Sequence, residues 1–140
     1  IKNIDLKSDS RKITIPLQLQ AYERIILLLE RISPSNLLLR LNGSSLNVGD
    51  FKQIIVREIR EEFNHNLSQQ IYMSDITWAK VKTAVESTIG LINETAAGLD
   101  LTANGIELSK NLLNNVLNSP TSPIEIAIEG VKADIRTNLL

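Results

Sequence analysis

Residues 50–74 read DFKQIIVREIREEFNHNLSQQIYMS, and this stretch decides the fold. Phe51, Ile55, Ile59, Phe63, Leu67 and Ile71 recur every four residues, with Ile54 beside the first of them. A helix turns every 3.6 residues or so, and a four-residue spacing drifts roughly 40° per step. Along the stretch the apolar stripe winds about halfway round the helix. Either different neighbours cover its two ends, or the helix breaks near Asn64–Asn66, where Asn, His and Asn are poor helix formers. Both outcomes make this a central helix, touched on several sides.

The opposite face carries Arg57, Glu58, Arg60, Glu61 and Glu62. Arg57 and Glu61 are four apart and can pair, which contributes only about 0.2–0.5 kcal/mol; Glu58 and Glu62 repel by a similar amount. The face reads as solvated, with ion pairs to another helix or another protein as the sharper alternative. Glu62-x-x-His65 has the spacing of half a di-iron carboxylate site. Such a site needs a second pair and two further glutamates, and this chain has one histidine. A symmetric dimer could supply the other half. A single Glu/His pair is common by chance, so the expectation is a surface or capping histidine and no cofactor.

At 140 residues the chain is one domain, long enough to bury a core without disulfide or metal. Aromatics make up 4%, so the core is leucine and isoleucine packing. There is no cysteine, which excludes disulfides, thiolate catalysis and Cys-based zinc or iron–sulfur sites. Net charge is −1. Residues 1–70 carry ten Lys/Arg against eight Asp/Glu, and residues 71–140 carry five against eight. Neither half has the basic excess of a nucleic-acid surface, and Arg24, Arg31, Arg57 and Arg60 each sit beside glutamates that would repel phosphates. The longest uninterrupted apolar run is Ile25–Leu29, far short of the roughly 20 residues that span a bilayer. No signal-peptide pattern is present. The first residue is Ile1 rather than Met, and a preceding segment is expected.

The chain divides into a mildly basic tether or irregular arm, residues 1–13, and a helical domain, residues 14–140. The predicted fold class is all-α, a bundle of five to six helices in one domain. A first helix is expected from Pro16 to Ile32, with proline at its first position. Its seam is Leu19, Tyr22, Ile26 and Leu29, widened by Ile25, Leu28 and Ile32. Glu23 and Glu30 have no basic residue four positions on, so Glu23, Arg24, Glu30 and Arg31 are expected to pair with the Arg57–Glu62 face. Ser33-Pro34 starts a short helix to about Leu41, buried on more than one side through Leu37, Leu38 and Leu39. Loop follows to Gly49, and Asp50 caps the central helix. Gly43 and Gly49 lack the Lys–Ser/Thr ending of a phosphate-binding loop. Ser74 caps a helix over 75–97, with Gly98 as its stop. Asp100 or Thr102 starts the next, which Asn118-Ser119-Pro120 ends. Ser122-Pro123-Ile124-Glu125 is a capping box with proline in the first turn, the start of a last helix to about Asn138. Ile126 falls off that helix's apolar stripe and points to a second contact surface. Helices one, three and four are expected at the centre.

Three stretches together resemble a known family: Leu19–Arg31 (LQAYERIILLLER) with Ile32–Leu37 following, Ile59–Phe63 (IREEF) and His65–Ser74 (HNLSQQIYMS). They are similar to a family of small helical proteins from Bacteroidota, a domain of unknown function, over roughly residues 12–95. In that family a transmembrane helix typically precedes the basic arm. The resemblance implies a membrane-tethered domain on the cytoplasmic face of the inner membrane, and it supplies no catalytic residues.

The expected function is a non-catalytic interaction or accessory domain. Its partner is another protein or a second copy, not nucleic acid. The candidate surface is Arg24, Arg31, Arg57, Arg60, Glu61, Glu62, His65, Asn66, Gln69 and Gln70. Asn66, Gln69 and Gln70 have a local alternative role, hydrogen-bonding a helix break. The competing functions are a homo-oligomeric scaffold, and a metal-binding helical protein using Glu62 and His65.

Overall fold

The computed structural model describes the backbone of residues 2–139 and the side chains of residues 12–139. In chain order the elements are α1 (Lys2–Ile32), α2 (Pro34–Arg40), α3 (Val48–His65), a 3-10 helix (Leu67–Tyr72), α4 (Asp75–Ala97), α5 (Ile106–Leu117) and α6 (Pro123–Asn138). The fold is an all-α bundle, as the periodicities predict. Among the described residues the only extended pairing is an isolated antiparallel bridge between Asn47 and Asn104.

The bundle is built around α4. Its buried residues Thr77, Trp78, Val81, Ala84 and Val85 recur eleven positions later as Thr88, Ile89, Ile92, Thr95 and Ala96. Eleven residues make three turns at about 3.67 per turn, so the same broad face stays turned inward along the whole helix. α1, α3, α5 and α6 all pack on it. The three buried threonines are each satisfied. Thr77 Oγ1 donates to the Gly130 carbonyl of α6 at 3.3 Å, Thr88 to Ala84 at 2.7 Å and Thr95 to Leu91 at 2.7 Å. Around α4 lie Tyr22, Ile25, Leu28, Leu29 and Ile32 of α1, Phe51, Ile55 and Ile59 of α3, Leu108 and Leu112 of α5, and Ile124, Ala127 and Val131 of α6.

The central stretch takes the broken-helix alternative. Phe51, Ile55 and Ile59 are buried, Phe63 is half-buried, and Leu67 and Ile71 are exposed. The drift carries the stripe off the core within four turns, and α3 ends at His65. Phe63 therefore sits at the core margin, its ring stacked on Trp78 with centroids 5.6 Å apart.

At one end of the bundle the loops before α3 and α5 clasp each other. Val48 N–H donates to Ala103 O at 2.8 Å, Gly49 N–H to Leu101 O at 3.1 Å and Gly105 N–H to Leu46 O at 2.8 Å. Asn104 Nδ2 reaches Ser44 O at 2.9 Å. A Cβ on Gly105 would collide with the Gly43 carbonyl, and one on Gly43 would lie 2.5 Å from the Phe51 ring. Glycine is required at both positions by closeness, not by backbone angle.

Several boundaries differ from the sequence expectation. α1 begins at Lys2, so residues 2–13 are helical rather than irregular and Pro16 lies inside the helix. Proline removes one intrahelical hydrogen bond and leaves the residues beyond it free to stay helical. The basic charge expected at Lys2, Lys7 and Arg11 lies outside the described side chains. The buried seam of α1 is Tyr22, Ile25, Leu28, Leu29 and Ile32; Leu19 is exposed. α2 is one-sided, with Leu37 buried and Leu39 85% exposed. Asn47, not Asp50, caps α3, its side chain accepting from Asp50 N–H at 2.8 Å. α5 starts at Ile106, because residues 101–105 are held by the clasp and Asn104 Oδ1 accepts from Ile106 N–H.

Phe51→Ala is expected to cost about 3–5 kcal/mol in urea unfolding, whereas Phe63→Ala, half-exposed, costs about half of that. Gly105→Ala is expected to cost about 1–3 kcal/mol or more through overpacking. An unchanged denaturation midpoint for Gly105→Ala would remove the clasp from this account.

Candidate functional site

The charged face expected from sequence forms in part. Arg31 of α1 reaches Glu62 of α3 through Nε, a contact between two half-exposed side chains. Arg60 Nη1 reaches Glu86 of α4 at 3.3 Å, and Arg40 of α2 lies 3.9 Å from Glu58. Arg24 does not join them; it lines a shallow surface groove with Gln20, Glu23 and Leu27. Arg57 and Glu61 are exposed and make no ion pair among the described residues. The face is a set of separate interhelical pairs, not a converging site.

The polar string after α3 holds the break together. Asn66 Nδ2 donates to Glu62 O at 2.8 Å and Gln70 Nε2 to Leu67 O at 3.0 Å. Gln69 reaches only the neighbouring Ser68 hydroxyl, at 3.4 Å. His65 is exposed. Glu62, the other half of the possible metal pair, is held by Arg31. Among the described residues no group of three or more His, Asp or Glu side chains gathers closely enough to hold a metal ion.

The α4–α5 loop, Asp100-x-Thr102-x-Asn104-Gly105, has the opening spacing of a calcium loop. Its donors are turned elsewhere. Asp100 Oδ1 accepts from Thr102 Oγ1 at 2.7 Å and Thr102 N–H at 2.9 Å, and these bonds hold its carboxyl below the usual carboxylate range. Asn104 Oδ1 caps α5, and the twelfth position is Asn111 rather than glutamate, donating to Glu107 O.

A cross-link not visible in the sequence ties the start of α4 to α6, beside Tyr22 of α1. Asp134 of α6 accepts from Ser74 N–H at 3.2 Å and from Ser74 Oγ at 3.0 Å. Ser74 Oγ in turn accepts from Thr77 N–H, capping α4. Tyr22 of α1 is buried against the same group. Burial, then the Asp134 charge, raise its phenol pKa above 10.0, and a hydrogen bond from Asn138 offsets part of this. Nothing local announces a contact between residues so far apart in the chain.

Three further recesses lie among the described residues. One, of about 100 Å³, lies between Pro34, Leu91, Val116 and Ile124. It is well below the roughly 300–1,000 Å³ of small-molecule pockets. The other two adjoin in a groove between α4 and α6 and are about 450 Å³ each, one lined by Ile76, Ala79, Lys80, Thr83, Pro123 and Ile126, the other by Lys80, Glu125, Ile126, Glu129, Gly130 and Ala133. Ile76 is 73% exposed and Ile126 50%. The off-stripe position of Ile126 signalled this surface in the sequence; Ile76 did not stand out there.

A family model matches residues 1–138, and its description is a family of unknown function, DUF7935. The match extends well beyond the residues that carry the resemblance. No curated protein and no solved structure matches the chain. Among the described residues no helix is long and apolar enough to cross a membrane.

Tyr22 gives a pH prediction. Its folded-state pKa is raised, so the neutral phenol favours the native state. That contribution is full below the unfolded value of about 10 and is lost as pH rises through the folded value. Stability of the wild type should fall more steeply above about pH 10 than that of Tyr22→Phe, read from urea midpoints. Parallel pH profiles would contradict the burial of this phenol.

Proposed function

Because the chain belongs to the DUF7935 family of unknown function, its role is argued from its own surface: we propose a non-catalytic helical interaction domain, tethered at the cytoplasmic face of the inner membrane. The observation that carries the interaction role is the α4/α6 groove, where two isoleucines stand exposed over a floor of small residues. Contiguous exposed apolar surface of this kind marks contact sites. The absence of a catalytic role is supported by how the ionisable groups are used. Glu62 and Glu86 are engaged by arginines, Asp134 by Ser74, and His65 stands alone at a helix end. General acid–base chemistry needs such groups within reach of one another and of a substrate. Arg24, Arg57 and Glu61, free of ion pairs among the described residues, offer a polar rim for a partner on the α1/α3 side. The tether rests on the resemblance to membrane-anchored proteins alone.

Affinity capture from native membranes tests the interaction role, with the wild type and an Ile76→Asp/Ile126→Asp double variant as baits. One chain, identical or different, should be retained stoichiometrically by the wild type and lost by the variant. A wild-type bait that retains nothing overturns the proposal. Cell fractionation tests the tether: the full-length protein should sediment with membranes and be released by detergent, and recovery in the soluble fraction refutes it.

A further inference from the structure

We propose that the occupant of the α4/α6 groove is a second copy of this chain, in a twofold dimer where Lys80 of each copy meets Glu125 of the other. This rests on reading the groove as an interaction surface. Lys80, in the first third of α4, lines both adjoining recesses and shares the second with Glu125 and Glu129 of α6. It makes no ion pair with either. Glu129 is shared between Lys132, at 3.5 Å, and Arg136, at 3.8 Å. Glu125 has no ion pair among the described residues; only its backbone N–H is used, in the Ser122 cap at 3.2 Å. One cation and one anion, both unpaired, thus border the same apolar patch.

A partner surface of one sign would neutralise one of these charges and bury the other against its like. A twofold axis through the patch instead brings each charge against its complement, because in an isologous contact residue i meets j while j meets i. The shape agrees with this. Ala79, Thr83 and Ala133 are small and exposed, and Gly130 is buried beneath the Lys80 side chain, whose Cδ lies 3.1 Å from where a Cβ would stand. Small residues let two helix pairs approach closely, with Ile76 and Ile126 as the projecting side chains that each copy offers to the other's groove.

Sedimentation equilibrium over a concentration series tests the dimer. Ile126→Asp should weaken self-association about 30-fold or more, as for a residue central to an interface. Its helical circular dichroism should be unchanged, since the side chain is already half-exposed. Lys80→Glu and Glu125→Lys should each be monomeric alone, because each places like charges opposite one another. Mixed in equal amounts they should associate, since both cross-contacts are then Glu against Lys. A wild type that stays monomeric, or a mixture that fails to associate, overturns the twofold dimer. A monomer that still captures a different chain through Ile76 and Ile126 leaves the interaction role standing; a monomer that captures nothing removes both.

Discussion

The broad inward face of α4 is the constraint on which the molecule depends. With α1, α3, α5 and α6 packed on that face, polar groups along it must find partners there. The buried threonines show how this is done. Thr88 and Thr95 bond back to their own helix, and Thr77 spends its hydroxyl on α6. An unpartnered buried hydroxyl would cost about 1–3 kcal/mol, so these bonds are conditions for using threonine at such positions. Where α4 borders α6 its exposed residues are Ile76, Ala79, Lys80 and Thr83, and of these Lys80 lies over Gly130.

The charged residues divide the surface into two kinds. On the α1/α3/α4 side Arg31, Arg40 and Arg60 meet glutamates of neighbouring helices at little net gain, since exposed pairs contribute about 0–1 kcal/mol. On the α4/α6 side Lys80 and Glu125 flank apolar surface without pairing at all. The first arrangement serves the fold. The second leaves both charges to solvent.

What could be read from the sequence was what local chemistry decides. Ser74 and Ser122 cap their helices as expected, because a cap involves residues three apart. The break at Asn66 follows from a four-residue apolar spacing on a helix of shorter period. What could not be read depends on distant partners. The start of α5 is set by the loop before α3, the raised pKa of Tyr22 by burial and then by Asp134 of α6, and the marginal place of Phe63 by where the drifting stripe leaves the core. In α4 the stripe of Trp78, Val81, Val85, Ile89, Ile92 and Ala96 could be read, whereas Thr77, Ala84, Thr88 and Thr95, which complete the eleven-residue recurrence, could not, because small and hydroxylated side chains do not announce burial. Of the candidate surface, the ionic residues could be identified while their internal pairing could not. The groove was half visible, through Ile126 alone.

The clasp between the two loops has a thermodynamic consequence. It closes a loop of 60 residues between Ser44 and Asn104. Closing a chain of that length costs roughly 4 kcal/mol of configurational entropy. The four hydrogen bonds of the clasp contribute about 1 kcal/mol each, so clasp and loop closure nearly cancel. The clasp cannot therefore fasten a loose chain. Its persistence rests on the packing of α3, α4 and α5, which removes most of that entropy.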